Sequence, residues 1–339
     1  GAQSADAKNY PSRTVRMVNP SSPGGGADII GRLVGQHLGK TLGQNFITDN
    51  RPGAANIIAT EIVAKSPPDG YTLLVAATGT FVTNPLVYAK LSYSERDFET
   101  ITIVADAPFI LTVHPSVSAK NVRELIALAK ARPGELTYAS FGTGSSSHLA
   151  GELFALMTGT KLLHVPYKGS APGMADMLAG NVTMKFDGGL ASVPHIHSGK
   201  IRALGVAALK RLPQLPEVPT LNEAGLKDFQ AGSWYGLMAP AGTPREIVER
   251  LHAETVRGVR TPELQKAPTS SATRRPNSAR RSCASARCGR RWSSRQASSR
   301  SEGYVRLDPA QTPRANPPRK NGKFPDCIRA RLNARIVRI

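Results

Sequence analysis

Residues 1–266 contain no cysteine; Cys283, Cys288 and Cys327 all lie beyond them. A thiol-free body excludes disulfide staples, thiolate nucleophiles and cysteine metal sites, and it suits an oxidising compartment. No apolar run approaches the length of a membrane span. Nucleotide signatures are also missing. Gly26 is not followed by G-K-[ST], and no glycines fall at G-x-G-x-x-G spacing there or around Gly142 and Gly144, where the last position is Ser147. G-x-S-x-G is absent, and although His148 follows three serines, nothing identifies an acid partner. The seven histidines are scattered; the nearest pair, His195 and His197, flanks Ile196 and would point to different helix faces. These absences exclude the common hydrolase, metal and nucleotide chemistries. The expectation is a protein that is not an enzyme and needs no cofactor or metal.

What is present begins with charge. The 339 residues carry a formal +20, but 18 Lys+Arg against 3 Asp+Glu fall between Ala267 and Ile339. The preceding chain holds 26 basic and 21 acidic residues, a net of +5. A nearly balanced body is not the footprint of a nucleic-acid binder, and the basic stretch lacks aromatic interleaving or a recognisable module. The chain opens Gly1-Ala-Gln-Ser-Ala-Asp-Ala-Lys-Asn, small and polar residues that read as a mature start after signal-peptide removal.

The organising stretch is Asn19-Pro-Ser-Ser-Pro-Gly-Gly-Gly-Ala-Asp28. A β-branched run (14–18) precedes it, and apolar residues at helical spacing follow from Ile29 to Leu38. A strand entering a helix through glycines gathers free backbone N–H groups and the positive end of a helix dipole, which attracts anions. Strands at 44–50 and 71–76 and a helix at 57–65 complete a β-α-β-α-β unit. Strands at 98–105 and 109–114, with a break at 106–108, read as a passage into a second domain. There the pattern restarts: helices at 122–132, 149–158 and 192–198, and one opening near Tyr167-Lys-Gly-Ser, alternate with strands at 136–139, 162–166, 182–186 and 201–207. A return strand at 233–239 and a helix at 245–259 follow. Such alternation predicts α/β architecture with right-handed crossovers.

Three turns, Ser21–Gly26, Thr78–Thr80 and Ser140–Ser147, combine glycines with hydroxyls at strand ends. Glycine admits close backbone approach and Ser/Thr can donate to carboxylate oxygens, so three such turns split between two domains predict a shared cleft. Lys168 is the one full positive charge that the pattern places near it, and it reads equally as a solvated lysine. Asp187 reads either as an acceptor for an ammonium or amide or as a helix cap.

Five separated motifs carry a resemblance: Pro20-Ser-Ser-Pro-Gly-Gly-Gly-Ala-Asp28, Asn50-Arg-Pro-Gly-Ala-Ala-Asn56, Pro68-Asp-Gly-Tyr-Thr-Leu-Leu74, His164-Val-Pro-Tyr-Lys-Gly169 and Trp234-Tyr-Gly-Leu-Met-Ala-Pro-Ala-Gly-Thr-Pro244. Over about residues 10–266 the chain resembles the Bug proteins, periplasmic receptors of tripartite tricarboxylate transporters. The resemblance implies a two-lobed type II periplasmic-binding-protein fold that closes like a Venus flytrap on a small carboxylate. It also implies a periplasmic location, a membrane permease as partner and a monomer. Its contacts would be Ser22, Gly24, Gly25, Thr78, Gly79 and Thr80 in the first lobe, and Ser140, Gly142, Ser146 and Asp187 in the second. Where the family usually carries an aromatic this chain has Ser21, Ala191 replaces a frequent proline, and Gly188-Gly189 should loosen the turn. A receptor docking on a membrane sensor kinase is the alternative role.

The expected organisation is an N-terminal extension at 1–9, lobe 1 at 10–104 and 235–266, lobe 2 at 105–234, and a basic tail at 267–339. The tail has the composition of a GC-rich reading frame shifted by one base, as in Arg274-Arg-Pro-Asn-Ser-Ala-Arg-Arg-Ser-Cys283. It is expected to lack a packed core and to deprive lobe 1 of a closing helix.

Overall fold

The computed structural model describes residues 9–261. The expectations for residues 1–8 and for the basic tail lie outside the described residues.

The first sheet half is built by β1 (Val15–Asn19), α1 (Gly26–Leu42), β2 (Phe46–Asn50), α2 (Ile57–Ala64) and β3 (Thr72–Ala77). Burial shows why these segments take their forms. Val15, Met17, Val18 and Leu73–Ala76 are almost fully buried, the continuous apolar pattern of central parallel strands. In α1, Ile30, Val34 and Leu38 recur every fourth residue and are buried on one face. A left-handed Gly43 ends the helix, its N–H donating to the Gly39 carbonyl. A short α3 (Asn84–Val87) follows β3.

The expected break at 106–108 is not there. One strand, β4 (Phe98–Val113), runs through it, and Asp106, Ala107 and Pro108 face Trp234, Ser233 and Gly232 of the later strand β9 (Gly232–Pro240). Proline ordinarily interrupts a ladder because it has no N–H. Here Pro108 stands where β4 changes partners, from β9 before it to two other strands from Phe109 onward.

The second half contains α4 (Val122–Ala131), β5 (Thr137–Ser140), α5 (Ser146–Thr158), β6 (Leu163–Pro166), α6 (Ser170–Leu178), β7 (Met184–Gly188), α7 (Gly189–His197) and β8 (Arg202–Val206). The chain then returns through β9 to α8 (Arg245–Val259). The turn expected to be loose has no residue of its own: Asp187 and Gly188 belong to β7, and α7 begins directly at Gly189.

Among the described residues the strand order is β2-β1-β3-β9-β4-β7-β5-β6, with β8 also on β4. Each half repeats one device: a first strand lies between the next two, all parallel, as β2-β1-β3 and as β6-β5-β7. Antiparallel β4 and β9 join the halves. One core lies between the first half and α1 and α8, where Ile247, Leu251 and Val259 are buried beside Ile30 and Leu38. Another fills the second half around Phe109, Leu125, Tyr138, Phe154 and Phe186. Burying one such side chain is worth ~1.5–3 kcal/mol, so each half carries its own stabilising core. The result is a two-lobed α/β fold, and its parallel strands send their carboxyl ends to one place.

Candidate functional site

The carboxyl ends of β1, β2, β3, β5 and β6, together with β9, line a single cleft between the lobes. The cleft holds about 590 Å3 of space between atoms, part of it open solvent. None of the residues lining it carries a charge.

Helix first turns form part of the walls. Gly26 and Ala27 open α1, Ser146 opens α5 and Ser170 opens α6, and all four line the cleft. First-turn N–H groups have no intrahelical acceptor and sit at the positive end of the helix dipole. The caps leave them exposed to a ligand: Gly25 and Gly169 offer no side-chain cap, and Ser145 occupies only the N–H of His148.

Of the ten expected contacts, Gly79 and Ser146 line the cleft. The other eight are not among its lining residues. Ser22 is buried and its hydroxyl has no partner among the described residues; neither has that of Thr80. Gly24 (φ +79°) donates its N–H to Asp28 Oδ2 at 2.9 Å, and Gly25 caps α1. Three side-chain oxygens are engaged within the protein. Thr78 Oγ1 accepts from the Trp234 N–H at 2.8 Å, which ties the end of β3 to β9. Ser140 Oγ sits 2.6 Å from His164 Nε2 and accepts from the Gly142 N–H at 3.1 Å. Asp187 Oδ2 accepts from Ser170 Oγ and lies 2.6 Å from Lys185 Nζ.

Sequence reasoning missed Ser170, Tyr235 and the turn after β2. In that turn Ala54, Ala55 and Asn56 are consecutive left-handed residues, with φ of 43°, 49° and 80°. Left-handed backbone costs a non-glycine residue ~1–2 kcal/mol, and such outliers cluster at functional sites. Ala55 and Asn56 line the cleft. Their side chains give no hint of this, so the strained turn was legible only as "turn". Ser170 follows Gly169, whose φ of +112° is one that only glycine adopts readily. Lys168 is exposed. Among the described residues the buried cation is Lys185, which the sequence pattern presents only as part of a strand.

The lobes touch at the rim. A Cβ on Gly169 would stand 2.6 Å from Ser22 Oγ and 3.1 Å from Ser22 N, and Tyr88 OH donates to the Thr143 carbonyl at 3.3 Å. Inside, the Tyr235 phenol lines the cleft, and burial first, then the charge of Asp187, raises its pKa, so it stays a protonated donor. Backbone N–H groups, hydroxyls and a phenol around a neutral, narrow cleft suit an anionic ligand held by hydrogen bonds.

The sequence pattern of the tripartite tricarboxylate transporter family receptor, TctC, matches residues 30–274. The chain belongs to that family. A relative in Pseudomonas sp. (strain P51), the UPF0065 protein in the tcbD-tcbE intergenic region, is 41% identical over 78% of this chain and 79% of its own length. BugT of Bordetella pertussis is 37% identical over 74% and 78%. Among solved structures, R. palustris Rpa4515 with adipate superposes with a TM-score of 0.79 at 36% identity, covering 83% of this chain and 96% of that one. MatC (Rpa3494) from Rhodopseudomonas palustris with bound malate gives 0.72 at 33%, covering 76% and 88%. The Bug resemblance and the two-lobed receptor fold therefore stand. No helix among the described residues is long and apolar enough to cross a membrane.

Proposed function

We propose that this TctC-family receptor captures a small organic carboxylate in its interlobe cleft, in the periplasm, and delivers it to the membrane permease of a tripartite tricarboxylate transporter. The observation that carries this reading is the convergence of the α1, α5 and α6 first turns on one uncharged cleft. A carboxylate there would gain N–H donors and dipole ends from both lobes at once. Closure at the Gly169–Ser22 rim excludes water, which strengthens each of those contacts. The unpartnered hydroxyls of Ser22 and Thr80 are further donors within the first-lobe wall. The adipate and malate bound by the two R. palustris relatives point to the ligand class. The ten contacts named from sequence belong to this proposal, Gly79 and Ser146 directly and the others through the turns they shape. So do the expected lobe limits, one carboxylate per monomeric chain, and binding without turnover.

A thermal-shift screen with adipate, malate and tricarboxylates tests the reading. A ligand at a hundred times its Kd stabilises the fold by ~2.7 kcal/mol, which for a core of this size raises Tm by ~5–10 °C. No shift with any carboxylate, or chemical conversion of the ligand, overturns the proposal; failure of the liganded protein to co-purify with the permease overturns only the delivery step.

A further inference from the structure

Lys185 is fully buried in β7, between β4 and β5, where it faces Thr112 and Ala139. A lysine on a central strand cannot reach water and must be paired inside. Its Nζ donates to the Ser170 carbonyl at 2.6 Å, lies 3.2 Å from Ser170 Oγ and 2.6 Å from Asp187 Oδ2, and stands 5.5 Å from the Phe141 ring centre. Ser170 and Phe141 both line the cleft. The ion pair is therefore one side chain behind the second-lobe wall.

We propose that Lys185 sets the charge preference of the cleft: paired with Asp187 behind Ser170, it admits a fully anionic carboxylate and disfavours a zwitterionic amino acid. The inference rests on the carboxylate-receptor reading. The Asp187 carboxylate is joined to a cleft-lining residue through the 2.5 Å bond from Ser170 Oγ. Without a countercharge it would repel a ligand carboxylate at the α6 first turn and attract an ammonium. Lys185 cancels it at contact distance, in a dry interior where charges are poorly screened. A side chain serving only to fill space in β7 would be apolar, since a well-packed hydrophobic replacement of a buried ion pair is often as stable.

The test is a set of calorimetric titrations with malate and aspartate, which differ at one carbon by hydroxyl against ammonium. Wild type should prefer malate. Lys185→Met should lower the malate-to-aspartate affinity ratio at least tenfold, and Asp187→Asn should move it the other way. The double variant K185M/D187N, with no buried charge, should return to within about threefold of wild type. A purely structural lysine would weaken both ligands alike and leave the ratio unchanged. An unchanged ratio in folded K185M overturns the inference. If that variant does not fold, an unchanged ratio in D187N, or a tenfold fall in the double variant, does the same. If wild type binds no carboxylate at all, the receptor reading itself fails and takes the inference with it.

Discussion

The two lobes tie their glycine turns with the same knot made from different chemistry. In lobe 1 the third residue of α1, Asp28, accepts the N–H of Gly24, four residues back and at φ +79°. In lobe 2 the third residue of α5, His148, accepts the N–H of Gly144 on Nδ1 at 3.1 Å, again four residues back and at φ +83°. Each tie fixes a strand-to-helix turn so that the first-turn N–H groups face the cleft. The carboxylate version is reinforced, since Asp28 also accepts from Arg32 Nε and Asn50 Nδ2. The imidazole version relies on stacking: His148 lies 4.0 Å from the His164 ring, which lies 4.9 Å from Tyr138. One geometry is thus held by charge in one lobe and by a neutral acceptor in the other, so the lobes should respond differently to mutation and to acid.

The largest difference should come from Asp28→Ala. Asp28 is 3% exposed. Burial pushes its pKa upward, but bonds from Arg32, Gly24 and Asn50 outweigh it and hold the carboxyl below its ordinary range. Its share of stability is therefore present above the unfolded pKa and lost as pH falls through the lower folded value. Removing it frees three donors and should cost ~2–4 kcal/mol in urea unfolding. Ligand binding should fall with it, because Gly24 and Gly25 lose their anchor. His148→Ala, which frees one backbone donor and opens a small cavity, should cost less. Equal losses would show that the ties are equivalent after all.

Gly169→Ala probes the contact between lobes. At φ +112° an alanine is strained, and its Cβ would overlap Ser22. Carboxylate affinity should drop by ten- to a hundredfold (~1.4–2.7 kcal/mol), and small-angle scattering should show a more open average form with ligand present. Unchanged affinity would mean that closure does not pass through this rim.

How much of this was legible follows from what each residue signals. The glycine-rich turns, the repeated strand–turn–helix device and the second small-residue turn at 140–148 could be read, because glycine, hydroxyls and apolar spacing are local signals. The continuity of β4 was not, since Pro108 normally marks a break and only pairing with β9 overrides it. The left-handed run at 54–56 was hidden because alanine carries no backbone preference for that region. Lys185 was hidden because burial, and not identity, separates an interior lysine from a solvated one. Lys168, equally plausible in sequence, is the exposed one.

Acid should separate the lobes further. His148 and His164 both have pKa values lowered to about 4, the first by burial and the second by burial and then by the neighbouring His148. Their contribution is full above pH 6.5, declines as pH falls toward about 4, and is lost below that. Each histidine adds at most ~1.4 kcal/mol per pH unit to the slope of unfolding free energy in that window. His148→Gln, which keeps an acceptor for Gly144 and cannot titrate, should flatten the slope. A slope unaltered by this change would place the acid sensitivity elsewhere, with Asp28 the next group to examine at lower pH.

The smallest expected effect belongs to the first-lobe wall, where Ser21 lines the cleft. Its N–H donates to Asn19 Oδ1 at 2.9 Å and its hydroxyl to the Ser22 carbonyl at 3.2 Å, so the side chain folds back on its own turn and leaves room in front. Ser21→Phe would fill that room. The backbone bond to Asn19 survives the change, so the tie at Asp28 and the unfolding midpoint should hardly move. The ring must nevertheless share the space beside Gly25, where a Cβ would already stand 2.1 Å from Ser21 Oγ. It will therefore turn outward, into the ligand's volume. The longer adipate should lose more than malate, with about a fivefold fall in affinity (~1 kcal/mol). If both ligands bind S21F as they bind wild type, the ligand lies against the second lobe, and the first lobe contributes closure and little contact.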